Sequence, residues 1–146
     1  MTPASPPTFV IDRCLGKAVK NALLSVGARV EHLDDHFSPE AKDHEWLPVV
    51  GDRGWVVLTK DGAIGINALE SRAIAHAGAK VFILVSGNLN RQQMADLFIG
   101  VLPKLEKFNL GNQAPFIAKV YKDGRVELWK NRTQLLKLLK RSTSVI

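Results

Sequence analysis

Three aspartates far apart along the chain, Asp12, Asp43 and Asp61, are the residues whose type and setting support chemistry. Asp12 ends the apolar run Phe9-Val10-Ile11, and Asp61 ends Trp55-Val56-Val57-Leu58-Thr59-Lys60. Both runs read as buried parallel strands, and in an open α/β sheet ligands gather just beyond the carboxyl ends of the strands. Asp43 opens a helix that precedes the second of these strands, so it can converge on the same edge. Two carboxylates 4 Å apart repel by roughly 4 kcal/mol at an effective dielectric near 20. Clustered acids therefore need protonation, basic neighbours or a bound cation. An all-oxygen set without His or Cys suits Mg²⁺ or Mn²⁺, which keep several waters and take phosphate oxygens as further ligands. Such an ion generates a hydroxide nucleophile and neutralises a phosphodiester in the transition state. The same residues also fit plain structural roles, with Asp12 and Asp61 in turns and Asp43 as a helix cap.

The elements that must position these acids follow from hydrophobic periodicity. Thr8 to Asp12 reads as strand one. Gly16 to Val26 carries apolar residues at 18, 19, 22, 23 and 26, which is helical spacing, with Gly27 as its stop. Ala28 to Leu33 is a short strand, and Asp34-Asp35-His36-Phe37-Ser38-Pro39 a loop. Asp43 is placed as the N-cap of a helix through about Arg53, with Glu45 in its first turn. Pro48 inside that helix is expected to shorten or kink it. Trp55 to Thr59 is strand three, Ala68 to Ala77 a helix closed by Gly78, and Lys80 to Val85 strand four. After the turn Ser86 to Asn90, Asn90 and Gln93 form a capping box for the helix Arg91 to Phe108. Pro115 to Tyr121 and Val126 to Trp129 read as a β-hairpin around Lys122-Asp123-Gly124-Arg125. A basic amphipathic helix, Thr133 to Arg141, closes the chain. Alternating strands and helices mean a largely parallel sheet covered by helices, in one α/β domain.

Bulk properties agree. A chain of 146 residues, 46% hydrophobic and 23% charged, is long enough for a proper core. No stretch approaches the roughly 20 apolar residues of a membrane span. Met1 to Pro7 has neither a basic start nor an apolar region, so no secretory leader is expected, and a cytoplasmic protein is. A lone cysteine, Cys14, excludes an internal disulfide and supplies no CxxC clip. Positive charge is uneven: residues 1–129 carry 15 bases against 14 acids, whereas 130–146 carry Lys130, Arg132, Lys137, Lys140 and Arg141 with no acid. That tail reads either as a solvated helix or as a contact for nucleic-acid phosphates or an acidic partner. Its four leucines within five positions wrap too widely for one stripe, which implies burial against a partner protein, another protomer or something else.

The segments Phe9 to Gly16, Asp43-His44-Glu45-Trp46-Leu47 and Trp55 to Asp61 resemble the motifs of the PIN-like nuclease family, in the compact bacterial branch linked to toxin–antitoxin ribonucleases. An Asp closing strand one, an acid opening the helix before strand three and a Thr-x-Asp closing strand three form the ordered set. Val81 to Leu89 and the hairpin 115–129 also fit, so the resemblance covers about residues 8–129. It implies a three-layer α/β domain with a mainly parallel sheet and a C-terminal hairpin. Residues 1–7 would then be a flexible arm and 130–146 a basic extension. It further implies a Mg²⁺- or Mn²⁺-dependent endoribonuclease, a toxin restrained by a small antitoxin, with RNA as substrate, a homo-oligomer as a further option and no membrane association. Asp12, Asp43 and Asp61 become metal ligands, with Glu45 competing for the middle place. Thr59 would orient Asp61, Ser86 and Asn88 would line the same edge, and Arg13 and Lys60 would hold phosphates or neutralise the acids.

The chain also departs from the family pattern. Where many relatives carry a second acid two residues after Thr-x-Asp, this sequence has Ala63, and after strand four it has Ser86 and Asn88 rather than an acid. Glu70, Asp35 or Asp96 are the candidates to compensate. A single-metal site or a catalytically degenerate binding module is therefore the alternative. Other chemistry is poorly supported. His32, His44 and His76 show no HxxxH or HExxH spacing among themselves, and no GxGxxG or Walker pattern exists. Cys14 reads as a packed thiol, and Trp46, Trp55 and Trp129 as core or interface residues rather than base-stacking platforms.

Overall fold

The computed structural model describes residues 6–60, 68–85 and 88–143, the side chains of 68–70 and 141–143 excepted. Along the chain run β1 (Thr8–Ile11), α1 (Gly16–Ser25), β2 (Arg29–His32), α2 (Asp43–Arg53), β3 (Val56–Thr59), α3 (Ala68–Ala77), β4 (Lys80–Leu84), α4 (Arg91–Gly111), β5 (Phe116–Val120), β6 (Val126–Lys130) and α5 (Arg132–Thr143). The six strands form one sheet in the order β2-β1-β3-β4-β5-β6. All neighbours are parallel except β5 and β6, which form the expected hairpin.

Helices cover both faces, as a parallel sheet requires. Alternation along each strand sends Phe9, Ile11, Leu58, Phe82 and Phe116 to one face, where α1 and α4 pack together. Val10, Val57, Val81, Ile83 and Ile117 point to the other, under a layer of α2, α3 and α5. Phe82, Phe108 and Phe116 meet edge to face, with centroids 5.3–5.5 Å apart. That contact holds the last turns of α4 on the sheet, and the helix runs on to Gly111 instead of stopping at Phe108.

Three expectations about helices are adjusted. Lys42, not Asp43, is the N-cap of α2, without a side-chain cap bond, and Asp43 is the first helical residue. Pro48 neither ends nor shortens α2, because the buried stripe Trp46, Leu47 and Val50 fastens both sides of it to the core. The wide leucine stripe of α5 is covered by this chain itself: Leu135 is fully buried, and Leu138 and Leu139 pack against the same core as α3. Glycine matters most at Gly51, where α2 passes α3 so closely that a Cβ would land on the Ala77 carbonyl oxygen. No helix among the described residues is long and apolar enough to cross a membrane.

Candidate active site

The strand order creates one place where chain directions diverge. From β1 the chain leaves through α1 on one face to β2, then returns through α2 on the other face to β3, on the opposite side of β1. The carboxyl ends of β1 and β3 are thus a topological switch point, the crevice where open α/β sheets bind ligands. Asp12 stands there. Its N–H donates to the Leu58 carbonyl at 3.0 Å, extending the β1–β3 ladder by one bond. It then caps a short 3₁₀ turn, Arg13–Leu15, with Oδ1 accepting from the Arg13 N–H at 2.7 Å. The register Ile11↔Leu58 brings the fully buried Thr59 alongside, and its hydroxyl donates to Asp12 Oδ2 at 3.0 Å. Each carboxylate oxygen is therefore fixed by one donor and keeps a further lone pair. Cys14 sits within 3.3 Å of the Thr59 hydroxyl, and its sulfur accepts from the Lys60 N–H at 3.4 Å, tying the turn after β1 to the end of β3.

Asp43 heads α2, which starts at this same edge because it follows β2. It is half-buried and in line with Trp46, Leu47 and Val50, so helical spacing places it on the inward stripe. Its position in the first turn is one where the helix dipole favours a carboxylate. Glu45 lies off that stripe, exposed, with its carboxylate 3.9 Å from His44. Asp61, Ser86 and the side chain of Glu70 lie outside the described residues. Among the described residues no group of three or more His, Cys, Asp or Glu is close enough to hold a metal ion. Asn88 is exposed, and Asp96 accepts from Gln92 on the surface of α4 at 2.9 Å.

The remaining charges divide between clamps and open groups. Arg13 bonds Asp34 through Nε and the Ser38 carbonyl through Nη2 at 2.7 Å, so its guanidinium fastens the loop after β2 over the turn that carries Asp12. Asp35 pairs with Lys20 of α1 at 3.1 Å, and that hydrogen bond and charge hold its carboxyl below the ordinary value. Lys60 is exposed and has no ion-pair partner among the described residues. It opens onto a cleft of about 380 Å³ shared with Arg13, Gly16, Asn90, Arg91 and Met94. Arg91 and Asn90 are residues the sequence reading leaves to helix capping alone. The usable signal was that their capping box follows β4 directly, which puts the start of α4 on the same sheet edge as Asp12. Gly16, at φ +76°, makes the tight exit from the 3₁₀ turn into α1 along the wall of this cleft.

A family model described as PIN like domain matches residues 7–86, from the start of β1 past the end of β4, and so includes Asp12, Asp43, Thr59 and Asp61. A protein of Mycobacterium tuberculosis (strain ATCC 25618 / H37Rv) named "Putative ribonuclease VapC45" is 28% identical over 102 residues, which is 66% of this chain and 74% of that protein. No solved structure matched the chain. More than half of the sequence falls under the family model, and its strands and covering helices build the three-layer sheet that the resemblance implied: the chain belongs to the PIN-like domain family.

Proposed function

We propose that this chain is a divalent-metal-dependent endoribonuclease that hydrolyses RNA phosphodiesters, acting as the toxin of a toxin–antitoxin pair with a small protein antitoxin. The observation that carries the reading is Asp12, a carboxylate set at the switch point and oriented by two donors, Thr59 Oγ1 and the Arg13 N–H. The name of the Mycobacterium tuberculosis relative supports the reaction class.

Asp12, Asp43 and Asp61 would hold the ion, with Asp43 favoured over Glu45 because it lies on the inward stripe of α2. Oxygen donors alone, with unused lone pairs on Asp12, fit Mg²⁺ or Mn²⁺. When bound, such an ion neutralises phosphate charge and lowers the pKa of water. The protein's own share is positioning. Thr59 keeps Asp12 in one rotamer, and the Cys14 bridge keeps the two strand ends together. Lys60 and Arg91 face the adjoining cleft and meet the phosphates flanking the cut, while Arg13 is occupied in holding the loop 34–38. The test is Asp12→Asn, whose amide oxygen still accepts from the Arg13 N–H while its NH2 donates to a reversed Thr59 hydroxyl. It should abolish RNA cleavage in Mn²⁺ while leaving the thermal melt unchanged, and cleavage at the normal rate would refute the reading.

Ala63, standing where many relatives place an acid, favours a second reading, a binding or regulatory module that keeps the fold without the reaction. Calorimetric titration with Mn²⁺ separates the two. Saturable binding that Asp12→Asn removes supports the nuclease, and its absence supports the module.

A further inference from the structure

Two of the bases that follow residue 129, Lys130 and Lys137, come together at the sheet edge opposite Asp12. β6 is the outermost strand, and its Trp129 ring has Lys119 Nζ 4.9 Å and Lys130 Nζ 4.8 Å from its centroid. Between the end of β6 and the first turns of α5 lies an open groove of about 390 Å³ lined by Trp129, Lys130, Gln134, Lys137 and Leu138. Neither Lys130 nor Lys137 has an ion-pair partner among the described residues. Glu127, two positions before Trp129 on the same strand, is taken up by Arg125 at 3.2 Å, which also holds Asp123 at 2.9 Å. The groove therefore combines uncompensated positive charge with an aromatic wall. That pairing suits a single nucleic-acid strand, whose phosphates meet ammonium groups while its bases offer π-faces to a ring. An acidic peptide would use the lysines but brings no base to stack beside them on the ring.

We infer that this groove is a second RNA-binding site, taking single-stranded RNA away from the Asp12 edge; the choice of RNA rests on the ribonuclease reading. The topology keeps the two sites apart. Lys130 pairs with Ile117 at the start of β5, which is the amino edge of the parallel strands, whereas Asp12 lies at the carboxyl edge. Arg132 Nη1 donates to the Ala114 carbonyl at 3.1 Å and anchors the head of α5 at that amino edge. The groove and the cleft thus hold different stretches of one RNA.

The experiment measures binding of a short fluorescein-labelled single-stranded RNA to the full chain by anisotropy, in EDTA, across a salt series. Exchanging Lys130→Gln together with Lys137→Gln should weaken binding several-fold. It should also flatten the slope of log K against log salt by about 1.4, roughly 0.7 for each phosphate of a single strand that the lysines no longer neutralise. Trp129→Leu should weaken RNA binding and leave binding of a polyglutamate peptide unchanged. Wild-type affinity and slope in the double-lysine variant overturn the inference, as does a groove that binds polyglutamate more tightly than RNA. Asp12→Asn, assayed in parallel, keeps the two ideas separable. Its loss of cleavage beside unaltered lysine variants sinks only the groove. Normal cleavage by Asp12→Asn beside weakened lysine variants sinks only the metal-site reading.

Discussion

Thr59 is the residue on which the orientation of Asp12 turns. Its hydroxyl donates to an aspartate 47 positions earlier, while the expected contact with Asp61, two positions on in sequence, falls outside the described residues. The pairing was invisible in the sequence because it depends on the register of β1 against β3, which no local pattern encodes. The place of Asp12 just after its strand was legible, since an Asp closing an apolar run is a local feature. Thr59→Val is nearly isosteric, so it removes the donor without opening a cavity. A hydrogen bond to a charged group contributes about 1.5–3 kcal/mol, and freeing the carboxylate to leave its rotamer should lower RNA cleavage by at least tenfold in single-turnover kinetics. An unchanged rate would show that Asp12 needs no such support. Arg13 is the opposite case. Its place beside Asp12 suggested phosphate binding, but Asp34 and the Ser38 carbonyl claim it, and only the folded loop reveals that.

Among the elements, those with strong punctuation were the readable ones. Asn90 and Gln93 exchange the two bonds of a capping box, Gln93 N–H to Asn90 Oδ1 at 2.8 Å and Asn90 N–H to Gln93 Oε1 at 2.9 Å. The same Asn-x-x-Gln spacing recurs at Asn131 and Gln134, with bonds of 2.8 and 2.9 Å, and it starts α5 at Arg132, one residue before the expected Thr133. The second box was as legible as the first. Because α4 both packs the core and lines the cleft with Arg91, its cap links stability to the site. Asn90→Ala should lower the unfolding free energy by about 1 kcal/mol in urea denaturation, and no change in the midpoint would mean that the cap is dispensable. Helix ends were less legible. The last turn of α4 exists because Phe108 reaches Phe82 and Phe116, a contact across sequence that periodicity cannot supply.

At the scale of the whole molecule, alternating strands and helices gave away a parallel sheet, but not the order of its strands. Which strands flank β1 is decided by the faces that α1 and α2 cover, and that is a matter of packing. The charge map behaves similarly: the count of bases in the tail is plain in the sequence, whereas their arrangement around Trp129 needs the β6–α5 corner. Gly51 gives the fold a final property. With nothing but hydrogen between α2 and the Ala77 carbonyl, the two helices touch at a bare pivot near the tail of α2. Overfilling a packed interior typically costs about 1–3 kcal/mol, and here the obstacle is backbone that cannot swing aside. Gly51→Ala should therefore lower the melting temperature and, by levering the far end of α2, displace Asp43 as well. Loss of cleavage should exceed what the unfolded fraction explains, and activity tracking that fraction alone would show the lever to be rigid. Mechanical tolerance in the back of the domain would then set how well its front holds the proposed ion.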